Sequence, residues 1–311
     1  MTQLRTKKSD AIELVLGGGG IKGFGHIGVL QALEDRHIQV GRITGVSVGS
    51  LVAALYRNGF SPAQIQETFL RRLPERFNPT LWMQSLTPVD PVALIFGSVF
   101  NLLPSMRAYV RQQKLVPSEN LAVVAYDVVR RQPFVFQGTG YDLAQALAAS
   151  CALPGVFRPV ATSDRKGLLV DGALYHRNPT EFCSDAPVLV SRLGLASEMP
   201  REPLNPVDTW YHLREMYVPF PTQRADVDDC KHVLIDLNTP DIAGLSFGRS
   251  QRTLLSMVDN GYRVPLLPSM KASNLGAYRF WARRHRDKEK YAQRQKRHRH
   301  RLDKRHRFGD R

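Results

Sequence analysis

A chain of 311 residues with 43% apolar content can bury a sizeable core, which excludes disorder as the state of most of it. Its three cysteines, Cys151, Cys183 and Cys230, are odd in number and unrelated in spacing, which excludes a disulfide framework or a zinc pattern and suits a reducing compartment. The net charge of +15 is uneven: residues 283–311 hold 14 Lys or Arg against 4 Asp or Glu, so the preceding body is only mildly basic.

Residues 1–10 read as a short polar arm. Only five apolar residues follow before the glycines begin, too few for the core of a signal peptide, and IELVL (Ile12 to Leu16) is expected to form a strand. Glycines come next, then FGHIGVLQALEDRHI, in which Ile27, Leu30 and Leu33 recur at helical spacing. GRITGV reads as a second strand leading directly into SVGSLVAALYRNG, an apolar helical face with Gly59 as its stop. Ser61 and Pro62 begin a further helix as N-cap and first helical residue. PVALIFGSVFNLLP, from Pro91 to Pro104, falls short of the ~20 residues that span a bilayer. It is expected to be a buried helix or irregular core segment, with an apolar lid or surface-inserting segment as the sharper alternative. Later strand-like runs are LAVVAYDVV, PFVFQ, LLVDG, APVLVS and HVLIDL, separated in places by the helical patterns YDLAQALAASCAL and RSQRTLLSMVDNGYR. This alternation predicts an α/β unit over residues 11–282 with a mostly parallel sheet, followed by a basic tail over 283–311.

Three stretches carry chemistry. GGGGIKG, Gly17 to Gly23, sits at a strand-to-helix junction, where outward amides and the helix N-terminus favour an anion. Gly18, Gly20 and Gly23 satisfy Gly-x-Gly-x-x-Gly, yet the next strand ends without the acid that would hold a ribose. The second stretch, Gly45-Val46-Ser47-Val48-Gly49, places Ser47 between small residues, as a nucleophile on a sharp strand-to-helix elbow requires. Taken alone it fits a plain tight turn equally well. In the third stretch, LLVDGALYHRNP, Asp171 ends an apolar strand beside Gly172 and Ala173. The elbow follows only one earlier strand, which argues against an ordinary α/β-hydrolase. An acid emerging at a strand end can reach a serine on a neighbouring strand directly, giving a Ser–Asp pair without histidine.

Together Gly18 to Gly23, Gly45 to Gly49 and Asp171-Gly172-Ala173 resemble the patatin-like phospholipases, as does AASCALPGVFRPV, Ala148 to Val160. The resemblance covers about residues 10–265 and implies a patatin-like three-layer α/β/α fold. It implies a lipid acyl hydrolase that uses no metal or cofactor, with a lipid substrate at a membrane or micelle surface. Carried over by position, Ser47 is the nucleophile and Asp171 the base. Gly18, Gly19, Gly20 and the backbone of Lys22 line the oxyanion hole. Phospholipids or lysophospholipids are the expected substrates. The alternatives are a general carboxylesterase, a triacylglycerol lipase, or a non-catalytic scaffold of the same fold.

Other residues have plainer expectations. His26 is a structural residue of the first helix, His176 a loop residue, and Ser150 and Cys151 have capping or packing roles. Asp142 is the N-cap of LAQALAAS. The tail is either a solvated extension or an anchor for anionic lipid, and nucleic-acid binding is the weaker reading because no motif accompanies the charge. The expected location is cytoplasmic, with peripheral attachment to the inner face of a membrane if the tail binds lipid.

Overall fold

A computed structural model of the chain describes residues 11–76, 100–183, 188–193, 233–237 and 250–263. The arm over 1–10, the apolar stretch before residue 100, Cys230 and the basic tail lie outside these residues.

Local sequence chemistry sets the first elements. Strand β1 (Ile12–Leu16) is buried throughout, and a short 3-10 turn at Gly20–Gly23 feeds helix α1 (Phe24–Asp35). Strand β2 (Val40–Val46) returns parallel to β1 and helix α2 (Val48–Arg57) begins two residues later. Gly59, at φ 85, follows the end of α2 in the left-handed region that a side chain resists. Helix α3 (Pro62–Arg76) opens with reciprocal bonds, Gln64 N–H to Ser61 Oγ and Ser61 N–H to the Gln64 side chain. These form a capping box that occupies otherwise orphan amides.

Phe100 bridges to Phe157, and Asn101 then caps helix α4 (Leu102–Gln113), so the end of the long apolar stretch begins an amphipathic helix. Strands β3 (Leu121–Asp127) and β4 (Gln132–Phe136) form an antiparallel hairpin, followed by helix α5 (Leu143–Ser150). Strands β5 (Val160–Ala161), β6 (Leu168–Asp171), β7 (Val188–Leu193) and β8 (Val233–Leu237) complete the sheet, and helix α6 (Gln251–Arg263) packs on α1.

Strand pairing follows the path β5-β6-β3-β2-β1-β7-β8, with β4 also on β3 and β2 and β6 on successive stretches of it. Strands β1, β2, β3, β7 and β8 run parallel; β4 and β6 are antiparallel to β3. The mixed α/β class with a mostly parallel central sheet is therefore as the alternation of elements predicts. Apolar residues of the six described helices join one buried cluster with Leu14, Leu16, Ile43, Leu121, Val123 and Ala125 of the sheet. On the opposite face Val15, Val188 and Val190 form a smaller buried cluster with Cys183 against it.

Candidate active site

At the end of β2 the chain turns sharply. Ser47 has φ 54 and ψ −130, a conformation costing a non-glycine residue about 1–3 kcal/mol. The neighbouring glycines make the turn possible by close approach. A Cβ on Gly45 would stand 2.6 Å from the Ser50 Cα, and one on Gly49 would overlap the Leu16 carbonyl of β1. Hydrogen bonds then hold the elbow at both ends of the Ser47 residue. Its carbonyl accepts from the Ser50 amide at 2.9 Å and from Ser50 Oγ at 2.6 Å. Its amide donates to Ser150 Oγ at 2.9 Å, and that hydroxyl donates to the Val124 carbonyl at 2.6 Å.

Asp171 ends β6 opposite this elbow. Ser47 Oγ donates to Asp171 Oδ2 at 2.7 Å, while Oδ1 accepts the Ala173 amide at 2.8 Å. The Asp171 amide donates to the Ala152 carbonyl at 3.0 Å. The side chain is buried, and loss of water pushes its pKa up to about 6; the Ser47 and Ala173 hydrogen bonds and the positive charge of Arg177 pull against that rise.

The glycine turn lies directly against this pair. A Cβ on Gly18 would collide with the Ala173 Cβ and come 3.4 Å from the Ser47 Cβ. Backbone bonds fix the turn: Gly17 N–H to the Ser191 carbonyl and Gly18 N–H to the Arg177 carbonyl, each at 3.1 Å. Lys22 N–H closes the 3-10 turn on the Gly19 carbonyl at 3.3 Å. Among the described residues, the amides of Gly19 and Gly20 have no such partner. Of the four positions expected to line an oxyanion hole, Gly18 and Lys22 thus have engaged amides and shape the turn, while the Gly19 and Gly20 amides are unengaged among the described residues.

His26 is fully buried, with Nε2 2.8 Å from the Gly17 carbonyl and Nδ1 2.8 Å from Ser191 Oγ. A carbonyl only accepts, so Nε2 carries the proton and Nδ1 accepts from the serine. Burial lowers its pKa to about 4, which keeps the ring neutral. The expected structural role therefore has a specific form: His26 ties the first glycine of the turn to β7. His176 is buried on the loop after Asp171, with Nδ1 3.0 Å from Glu181 Oε2. Asp142 caps α5 as expected, accepting from the Ala144 and Gln145 amides. Cys151 and Cys183 are free thiols, and burial pushes both pKa values up, Cys183 to about 12.

Ser150 takes the packing role expected of it, with hydrogen bonds in addition. It closes α5 with a fully buried hydroxyl bonded to the elbow and to β3. The signal in the sequence was a hydroxyl ending the otherwise apolar run ALAAS, because a buried polar atom needs partners.

A family model described as patatin-like phospholipase matches residues 14–183, more than half of the chain. An uncharacterized NTE family protein of Mycobacterium tuberculosis is 30% identical over 179 residues, covering 55% of this chain and 45% of its own length. Lysophospholipase NTE1 of Kluyveromyces lactis is 48% identical over 209 residues, covering 65% of this chain and 14% of its own length. The chain spans less than half the length of these curated relatives. Among solved structures, VipD of Legionella pneumophila aligns with a TM-score of 0.47 at 15% identity, covering 82% of this chain and 66% of VipD. The glycine turn, the elbow and the Asp171 strand end all fall inside the matched span, and the chain belongs to the patatin-like phospholipase family.

Proposed function

We propose that the protein is a serine acyl hydrolase that cleaves fatty-acyl esters of phospholipids or lysophospholipids through Ser47 and Asp171. The observation that carries this reading is the 2.7 Å bond from Ser47 Oγ to Asp171 Oδ2, made by a serine at φ 54 on a strand-to-helix elbow. Family membership supports the ester-hydrolase class, and the lysophospholipase relative supports a lipid substrate.

Ser47 Oγ attacks the acyl carbonyl carbon as its proton passes to Asp171 Oδ2. A free aspartate, with a pKa near 3.9, is a poor base; a value raised to about 6 by burial improves the match to neutral pH while leaving most of the carboxylate ionised. In this reading the developing oxyanion takes hydrogen bonds from the Gly19 and Gly20 amides of the glycine turn. Collapse breaks the ester C–O bond, and the leaving alcohol takes the proton from Asp171. Water, deprotonated by Asp171, then releases the fatty acid from the acyl-Ser47 intermediate and restores the serine.

Purified protein is assayed against phospholipids, lysophospholipids, triacylglycerols and short-chain esters, with Ser47→Ala in parallel. Loss of lipid hydrolysis in Ser47→Ala is expected. Hydrolysis confined to short-chain esters reassigns the substrate to that of a carboxylesterase, and parent-level activity in Ser47→Ala removes the mechanism.

A further inference from the structure

The mechanism above uses Ser47, Asp171 and the glycine turn, and leaves the buried end of α5 unexplained. Two bonds from that end reach the two reacting residues. Ser150 Oγ accepts the Ser47 amide at 2.9 Å, and the Ala152 carbonyl, two residues on, accepts the Asp171 amide at 3.0 Å. The same Ser150 hydroxyl donates to the Val124 carbonyl at 2.6 Å, so its position is fixed by the strand that both β2 and β6 pair with. Ser150 is fully buried, so the partners of its hydroxyl are protein groups.

We infer that Ser150 is a positioning residue: with the Ala152 carbonyl it forms a clamp that sets the separation of Ser47 Oγ and Asp171 Oδ2. This rests on the Ser–Asp reading and deepens it. The physical need comes from the elbow. Ser47 occupies a strained conformation, and a strained residue persists only where its surroundings over-determine it. Ser50 secures the carbonyl side of Ser47 from within α2 itself. The amide side has Ser150 alone among the described residues. With that anchor removed, Ser47 has a buried donor without a partner and can rotate toward an ordinary backbone conformation, carrying Oγ away from the carboxylate. Engagement by Ser150 also takes the Ser47 amide out of competition for the oxyanion, which leaves that task to the glycine turn.

Ser150→Ala tests the clamp in the full chain with p-nitrophenyl butyrate and a fluorophosphonate probe. The expected result is a kcat lower by about tenfold or more with KM changed less than about twofold, because transition-state geometry is lost and substrate contacts are not. Fluorophosphonate labelling of Ser47 slows in parallel. The acid limb of the kcat profile moves to higher pH, because a looser Ser47 hydrogen bond no longer lowers the Asp171 pKa. Ser150→Cys, which keeps a weak donor and acceptor of similar shape, lies between parent and alanine variant and carries the test if the alanine variant fails to fold. Leu143→Ala, at the other end of α5, controls for general loosening: it lowers the melting temperature without moving the acid limb. A Ser150→Ala or Ser150→Cys protein with parent kcat overturns the clamp, as does a fall in kcat with the acid limb unmoved. Neither outcome touches the Ser–Asp reading, which fails separately if Ser47→Ala retains activity.

Discussion

Val46 and Asp171 pair with consecutive residues of β3, Val124 and Ala125. Strand β4 pairs with β3 over Val123–Asp127 and so occupies one edge. Strands β2 and β6 must therefore share the other edge, running in opposite directions and stopping tip to tip. Gly172 fits this junction because a Cβ there would stand 2.6 Å from the Val124 carbonyl and 2.9 Å from Val46 Cγ2. Ladder hydrogen bonds to one strand thus fix the Ser47–Asp171 approach, and a one-residue slip of β6 would send Asp171 to the other face.

Activity should depend on a single ionisation in the acid range. Protonated Asp171 cannot accept the Ser47 proton, so kcat/KM should fall tenfold per pH unit below about pH 6. Asp171→Asn should lose about 10²–10⁴-fold in kcat at neutral pH, the usual worth of a general base. A parent profile flat down to pH 4.5, or an asparagine variant near parent rate, would remove Asp171 from the mechanism.

Most of this arrangement was legible in the sequence because it depends on local rules. The strands from IELVL to HVLIDL, the Ser61 cap, the Asp142 cap and the elbow all follow from residue type and spacing. Helix α4 and the short strand β5 did not show themselves. The first lies partly within an apolar stretch without a clean period, and the second has only two residues. The pairing of the acid differs in kind from the expectation. Asp171 reaches Ser47 end to end along β3, from an antiparallel strand, and not across from a strand paired with β2. Sheet register is a long-range property that residue pattern underdetermines. The bond of Ser150 to the elbow is illegible for the same reason, since its partner Ser47 stands 103 residues away.

Asp171 and His26 should oppose each other in the pH dependence of stability. Asp171 has a folded pKa of about 6, above its ordinary 3.8, so the folded state holds the extra proton and stability falls as pH rises through that window. His26 has a folded pKa of about 4, below its ordinary 6.5, so the unfolded state holds the extra proton and stability falls as pH drops from 6.5 toward 4. Each is worth on the order of 3 kcal/mol at full effect. Asp171→Asn should therefore be more stable than the parent at pH 7, and should lose stability more steeply on acidification. Chemical denaturation of both proteins from pH 7.5 to 4 checks this; parallel curves would contradict it.

Gly49, in the first turn of α2, and Gly59, just past its end, should differ in their tolerance of alanine. At Gly49 the added Cβ meets the β1 backbone, which cannot move without breaking the sheet, so Gly49→Ala should cost about 3 kcal/mol or more and abolish activity with it. At Gly59 nothing lies within 4 Å and only the φ of 85 resists, so Gly59→Ala should cost about 1 kcal/mol and leave kcat unchanged. Thermal melts with activity of the folded fraction separate the two, and equal losses would contradict the close-packed elbow.

Residues 283–311 should govern attachment to anionic surfaces if their charge acts on lipid. Each basic residue near such a surface contributes about 1 kcal/mol, screened over a Debye length of about 8 Å in physiological salt. A protein carrying Arg299→Glu, Arg301→Glu and Arg305→Glu changes the net charge by six without touching the described elements. It should bind phosphatidylserine-containing vesicles at least tenfold more weakly than the parent, with unchanged turnover of a soluble ester. Parent binding should weaken with added salt and be absent on purely zwitterionic vesicles. Equal binding of both proteins to anionic vesicles would assign membrane attachment to the folded body, and retention on vesicles at high salt would indicate apolar insertion instead of charge.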